Sequence, residues 1–174
     1  MAGAFSIVEA FISTLITFTH CFLPMHQEFQ KIEELLDYAL RTPGLFGKGV
    51  HAIGKVDAAL AQAIREAIQT DTLAFRITVD HSSILHVFWQ HGDESTEALR
   101  GQLPIGNTDV LMLAQWLTRP DYVEDAGQNP GETRCLRFKW THGNELTTVI
   151  LNVRTGRRKQ QLSLKTMYKK RLVT

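Results

Sequence analysis

The sequence predicts an α+β fold in which N-terminal helices are followed by a twisted antiparallel β-sheet that packs on helices. Apolar residues recur at helical spacing in the first part of the chain, whereas β-rich alternating segments dominate its last third. Helices first and strands afterwards are typical of the α+β class. With 174 residues, 44% of them apolar, the chain can build one ordinary globular core.

The N-terminal part, residues 1–70, is predicted to be a helical region, and a boundary near residues 70–72 separates it from the unit 71–174. Apolar residues on one face mark two helices, and a Pro-Gly pair stops the first of them. Clustered glycines mark a flexible connector. In chain order these elements are a helix over 26–40, the connector over 47–54 and a helix over about 56–69.

Residues 3–23 form the most apolar segment of the chain. The segment lies at the lower edge of membrane-span length and contains Glu9. It lacks the basic region and the small-residue cleavage site of a signal peptide. We interpret it as an apolar helix that packs in the fold or against a partner, and contact with a membrane is the weaker hypothesis.

From residue 73 onward the pattern is mixed. Residues 73–80 alternate like a strand, and Asp80 is well placed to cap a helix over about 81–91. The further elements are a polar loop over 92–107, a helix over about 109–118 capped by Asn107 or Thr108 and ended by Pro120, and strands at about 121–125, 133–141, 145–154 and 160–168. Glycine-containing turns between the last three strands favour an antiparallel meander.

The formal net charge of +1 conceals an uneven distribution. Residues 1–133 carry 8 Lys and Arg against 17 Asp and Glu, whereas residues 134–174 carry 11 against the single acid Glu145. Such asymmetry is the electrostatic signature of a polyanionic partner. A solvated basic tail is the alternative, but the charges alternate with strand-like apolar residues, which favours an organised patch.

Several kinds of chemistry find no support in the sequence. Cys21 and Cys135 lie far apart and show no paired spacing, which indicates neither a disulfide framework nor a zinc knuckle and favours a reduced compartment. There is no His-Glu-x-x-His motif and no pair of aspartates in the basic region, so no metal is predicted. A phosphate-cradling glycine loop followed by Lys-Ser/Thr is also missing, which speaks against ATP-dependent chemistry.

Two of the seven histidines, His86 and His91, lie on the predicted helix over 81–91. Five residues turn a helix by about 500°, so the two side chains diverge by roughly 140° and meet at one site only if the helix ends between them. Gly92 can supply such an end. His91 is the candidate general acid or base and His86 an assisting group. A hydrogen-bonded packing role is the alternative, and it is stronger for His86.

A second group of candidates lies at the end of the chain. Period-two alternation puts Thr166 and Tyr168 on the same face of a strand and turns Lys165 to the other face. A hydroxyl group beside an aromatic ring suits a phosphate contact and a platform for base stacking. An ordinary cross-strand pair is the alternative interpretation.

The neighbouring strands supply cations. The alternation gives these strands one apolar side and one side that carries Arg137, Lys139 and Arg154, as expected of an anion-binding surface. Arg157 and Arg158 follow at a hairpin turn. We expect them to bind the backbone of a nucleic acid and not to take part in bond breaking.

A strand, the two-histidine helix LHVFWQHG, a capped helix that ends in a proline, and strands closing on LSLKTMYKK follow one another over residues 73–170. This order resembles the nuclease domains of the barnase–EndoU–colicin–RelE (BECR) superfamily, found in phages and polymorphic toxins. The resemblance implies a BECR-like sheet packed on helices. It places His86 and His91 on the paired-histidine element of the family, and Thr166 and Tyr168 on its terminal Thr/Ser-x-Tyr element.

The resemblance also implies a function. It implies a metal-independent ribonuclease toxin that cleaves RNA, for instance tRNA, by attack of the 2′-hydroxyl group and needs no cofactor. The catalytic candidates are His91, His86, Arg154, Thr166 and Tyr168, and the substrate-binding candidates are Lys139, Arg137, Arg157, Arg158 and Lys165. A cognate immunity or antitoxin protein, delivery by a phage or by contact-dependent inhibition, and action in the cytoplasm of a target cell are implied in the same way.

Two other classes of function are alternatives to the ribonuclease. A non-catalytic nucleic-acid-binding module, such as an accessory protein of a phage, would use the same basic strands. An interaction protein anchored by residues 3–23 would use the apolar N-terminal segment. RNA that stays intact while it is bound in a salt-dependent way would favour the binding module.

Overall fold

The computed structural model describes residues 28–42, 49–128, 133–156 and 159–172, which together form seven strands and five helices. The strands are β1 (Glu28–Phe29), β2 (Val50–Lys55), β3 (Arg76–Asp80), β4 (Tyr122–Gly127), β5 (Cys135–His142), β6 (Glu145–Gly156) and β7 (Lys159–Arg171). The helices are α1 (Ile32–Arg41), α2 (Ala58–Ile68), α3 (His81–His91), α4 (Glu94–Leu99) and α5 (Asn107–Trp116). An α+β fold is therefore confirmed.

All seven strands belong to one mixed sheet, in the order β1-β2-β3-β7-β6-β5-β4. The last four strands form the predicted antiparallel meander, and Gly143 adopts a left-handed conformation with φ of 58° in the turn between β5 and β6. The sheet is not antiparallel throughout, because β3 pairs in parallel with β7 and β1 pairs in parallel with β2. It continues across the boundary predicted near residues 70–72, since β2 pairs with β3.

Helices α2 and α3 lie where the apolar periodicity and the Asp80 cap, respectively, predict them. The Asp80 carboxylate accepts a hydrogen bond from the backbone N–H of Ser83, which caps the first turn of α3 as predicted. Gly92 follows the last residue of α3, and its N–H donates to the carbonyl oxygen of Phe88. These two ends fix the position of His91 at the C-terminus of the helix.

The structure corrects the N-terminal prediction in two places. The helix predicted over 26–40 begins only at Ile32, because Phe29 lies in β1 and pairs with His51 of β2. The predicted connector over 47–54 contains β2 instead. Gly49 serves close packing there, since a Cβ atom at this position would lie 2.9 Å from Phe29 Cε2.

Two further corrections concern the segment between α3 and α5. The polar loop predicted over 92–107 contains the short helix α4, which Asp93 caps. The cap of α5 is Gly106, and not Asn107 or Thr108. The carboxylate of Asp109 accepts a hydrogen bond from the backbone N–H of Gly106, which stabilises this end of the helix. The apolar segment 3–23 lies outside the described residues, among which no helix is long and apolar enough to cross a membrane.

The central strands separate two chemically different faces of the sheet. On one face Val149 pairs with Met167 and Leu151 with Leu164, and these side chains are buried in one core with apolar residues of the helices. Side chains alternate along a strand, so the residues between them point to the opposite side. We call that side of β5, β6 and β7 the polar face, and it carries Arg137, Lys139, Thr148, Ile150, Asn152, Arg154, Thr166 and Tyr168.

Candidate active site

A β-bulge in β7 arranges the side chains of the terminal motif. Thr166 pairs with Ile150, whereas the next pair is Leu151 with Leu164, so Lys165 is the extra residue of the bulge in β7. Nζ of Lys165 lies 3.9 Å from Sγ of Cys135, which belongs to the polar face by its pairing with Asn152. Lys165 therefore reaches the same face as Thr166, whereas uninterrupted alternation predicts the other face.

Thr166 and Tyr168 share the polar face, as the sequence predicts. Tyr168 lies opposite Thr148, which in turn lies opposite Lys139 on β5. The hydroxyl oxygen of Thr166 is buried and has no hydrogen-bond partner among the described residues. A buried hydroxyl without a partner costs free energy, so this oxygen is suited to accept or donate a bond to a bound molecule.

The cations of β5 are present but are not free of partners. Nζ of Lys139 lies 2.5 Å from Oε1 of Glu124, and a guanidinium nitrogen of Arg137 lies 3.4 Å from the other carboxylate oxygen. The hydrogen bond from Lys139 is the main cause that lowers the pKa of Glu124 below its usual value, and Arg137 adds to it. Glu124 therefore bridges the two cations of β5.

His91 lies beside the terminal motif. Its ring centroid is 6.1 Å from that of Tyr168, and 15% of its side chain is exposed. The carbonyl oxygen of His91 accepts a short hydrogen bond of 2.6 Å from the N–H of Ile105, which fixes the end of α3. The structure thus brings together His91, Tyr168 and the polar face, which the sequence separates by more than half of the domain.

A buried carboxylate holds the His91 ring. Oε2 of Glu97 lies 3.0 Å from Nδ1 of His91, and Oε1 lies 2.6 Å from a guanidinium nitrogen of Arg100. The side chain of Glu97 is fully buried. We call His91, Glu97, Arg100 and Tyr168 the His91 cluster. Sequence analysis missed Glu97, although the Asp93 cap of α4 was a signal that could have shown the helix.

His86 does not join this cluster. It lies on the exposed side of α3 with Ser82, Trp89 and Gln90, whereas residues of the opposite side are buried. No hydrogen bond or ring contact joins it to the described residues of the His91 cluster. The divergence of about 140° expected for a continuous helix therefore holds, since α3 ends after His91 and not before it.

Arg154 lies on the polar face but at its other end. The stretch of β6 from Thr148, which faces Tyr168, to Arg154 spans about 20 Å at the usual rise of about 3.3 Å per residue. Arg154 is exposed and lines a groove of about 510 Å³ with Arg134 and Thr155. The structure does not bring it to His91, so one phosphate group cannot contact both residues. Arg157 and Arg158 lie outside the described residues.

The described residues thus form an α+β fold in which one sheet face carries cations and a histidine lies at its margin. The chain belongs to the phage-Barnase-EndoU-ColicinE5/D-RelE like nuclease3 family, whose model matches residues 54–173. It is therefore a nuclease domain of the BECR type, which confirms the resemblance. No curated protein and no solved structure matches this chain significantly.

Proposed function

We propose that this domain is a metal-independent endoribonuclease of the toxin type. The observation that carries the proposal is the contact of His91 with both a buried carboxylate and Tyr168 of the polar face. A histidine held in this way is suited to move protons near neutral pH. Membership in a nuclease family supports the reaction class.

His91 is the general base of the proposed reaction. A carboxylate only accepts hydrogen bonds, so Glu97 keeps the proton of a neutral His91 ring on Nδ1 and leaves the lone pair on Nε2. Nε2 has no hydrogen-bond partner among the described residues. It accepts the proton of the ribose 2′-hydroxyl, whose oxygen attacks the adjacent phosphorus. A second group must protonate the leaving 5′-oxygen.

The polar face supplies the remaining groups. Lys139 and Lys165 carry the positive charge that stabilises the crowded phosphate, and an ammonium group of either residue would donate the proton to the leaving oxygen. The ring of Tyr168 offers a surface on which a base can stack. The unpartnered hydroxyl of Thr166 is placed to bind a phosphate oxygen.

The first test is cleavage of tRNA and of total RNA in the presence of EDTA. The wild-type domain cleaves both, and His91→Ala lowers the rate constant of cleavage by about 100-fold or more, because general acid-base catalysis contributes about that much. His142→Ala, which removes an exposed histidine from the end of β5, is the matched control and keeps its activity. Full activity of a folded His91→Ala protein contradicts the mechanism.

The same experiment separates the nuclease from a binding module. The module would bind RNA on the same cations, with affinity that falls steeply as salt rises, and would leave the RNA intact. The family match favours the nuclease. Intact RNA in every condition, together with salt-dependent binding, would favour the module.

We also propose that the domain acts in the cytoplasm of a target cell and has a cognate immunity or antitoxin partner. A nuclease that reads mainly phosphate charge attacks many RNAs, so the cell that makes it needs an inhibitor. Expression of the wild-type chain alone should stop growth, whereas His91→Ala should not. Equal growth with both chains would remove the toxin proposal without touching the nuclease chemistry.

A further inference from the structure

Glu97 carries a charge, but its side chain is buried and cannot contact a substrate. Its side chain is fully enclosed on α4, and both carboxylate oxygens are used, one by His91 and the other by Arg100. Burial of a carboxylate is costly unless partners of this kind compensate for it. A residue that only had to fill the space under α4 would not need a charge.

The backbone around Glu97 is fixed as well. The Asp93 carboxylate caps α4 through the N–H of Thr96, and the carbonyl oxygen of Glu97 accepts the N–H of Gln102. Arg100 is held a second time, because its guanidinium group also donates to the carbonyl oxygen of Gln90 at 2.7 Å. The backbone that carries Glu97 is therefore held in place, and its side chain cannot turn away from His91 without also breaking the hydrogen bond with Arg100.

We infer that Glu97 is a positioning residue that fixes the orientation and the tautomer of His91, and that Arg100 holds the carboxylate in place through its other oxygen. The catalytic consequence rests on the function proposed above, whereas the tautomer itself does not. Glu97 cannot act on RNA directly, since it is fully buried. Its effect must pass through the imidazole ring, as in other triads in which a carboxylate orients a histidine.

Glu97→Gln gives a sharp test because Arg100 decides how the new amide lies. The guanidinium group needs an acceptor, so the amide oxygen faces Arg100 and the NH₂ group faces Nδ1 of His91. Nδ1 must then accept, and the proton of the neutral ring moves to Nε2. The nitrogen that takes the 2′-hydroxyl proton in the proposed reaction is thereby blocked.

The measurement is ¹⁵N NMR of the labelled His91 ring in the full chain, with the rate of RNA cleavage measured in parallel. Wild type is protonated at Nδ1 and Glu97→Gln at Nε2, and kcat falls by about 100-fold or more while KM changes little. Glu97→Asp keeps a carboxylate. Unlike Glu97→Gln, it should therefore keep the Nδ1–H tautomer of His91 and part of the activity. Glu94→Gln, an exposed carboxylate of the same helix, is the matched control and changes neither quantity.

Three results would overturn the inference. One is a folded Glu97→Gln protein whose His91 ring keeps the wild-type tautomer. Another is a changed tautomer with unchanged kcat when His91→Ala is inactive. If Glu97→Gln fails to fold, Arg100→Gln replaces it: the Glu97 carboxylate still accepts from Nδ1, so His91 should keep the wild-type tautomer, and a proton on Nε2 in this variant contradicts the role of Glu97. Activity of His91→Ala, by contrast, would remove the proposed function and leave the tautomer result to stand alone.

Discussion

The two ends of the polar face are built in different ways. At one end the His91 cluster is enclosed, with a fully buried carboxylate and a ring that is 15% exposed. At the other end Arg154 is exposed beside an open groove of about 510 Å³. Proton transfer needs groups held in a fixed geometry, whereas attraction of a polyanion needs only charge at the surface. The function proposed above therefore places the chemistry at the first end and binding of the RNA backbone at the second.

The largest effect outside His91 and Glu97 is expected at Tyr168. Tyr168→Ala removes the ring next to His91 and should lower kcat/KM by about 10-fold or more, because stacking of one base contributes that much. Tyr168→Phe keeps the ring and should retain most of the activity. Steady-state cleavage of a short RNA measures both, and an equal loss in the two variants would point to the hydroxyl group instead.

At the other end of the polar face, Arg154 is expected to have a smaller effect, on KM and not on kcat. Arg154→Ala should raise KM by about 2- to 5-fold, leave kcat unchanged and reduce the slope of log K against log salt by about 0.7, the value for one phosphate contact on a single strand. Arg41→Ala, which removes an exposed cation of α1, serves as the control. A fall in kcat instead would place Arg154 in the chemistry and break the comparison between the two ends.

Glu124 should weaken the binding of RNA to the cations Lys139 and Arg137. Glu124→Gln removes the charge that competes with phosphate for Lys139 and Arg137, so KM at low salt should fall by about 2- to 5-fold, the usual strength of an exposed ion pair. The dependence of KM on salt should become steeper at the same time. A higher KM would show that Glu124 orders the two cations for the substrate and does not compete with it.

The smallest effect concerns stability in acid. Hydrogen bonds from the hydroxyls of Ser95 and Thr96 are the main causes that lower the pKa of Asp93 from 3.8 to about 2. A pKa that is lower in the folded state gives a contribution to stability that is present above about pH 4 and is lost as the pH falls towards 2. Urea midpoints of wild type and Asp93→Asn should therefore converge as the pH falls from about 4 towards 2. Parallel curves would show that the cap is not a source of acid sensitivity.

Much of the fold could be predicted from local signals. The Asp80 cap, the apolar periodicity and Gly92 together define α3, and alternation defines the long strands of the meander. Signals of this kind are local, because caps and periodicity depend on residues within a few positions of each other. The sequence pattern does not predict the short strand β2, because glycines obscure its alternation and its partner β3 lies far along the chain.

The site could be predicted only in part. His91, Thr166 and Tyr168 were named from the sequence, and the structure brings His91 and Tyr168 together. The bulge that turns Lys165 to the polar face depends on the register of β6 against β7, which no local pattern of β7 shows. Glu97 lies on a helix of six residues in a polar segment, where helical periodicity has no room to develop.

In the proposed reaction His91 starts RNA cleavage by taking the proton of the 2′-hydroxyl. Mass spectrometry of the fragments formed by the wild-type domain in EDTA tests this step most directly. Wild type should give fragments that end in a 2′,3′-cyclic phosphate, and His91→Ala should give none above background. Fragments with 5′-phosphate and 3′-hydroxyl ends, or cleavage that begins only when a divalent cation is added, would contradict it.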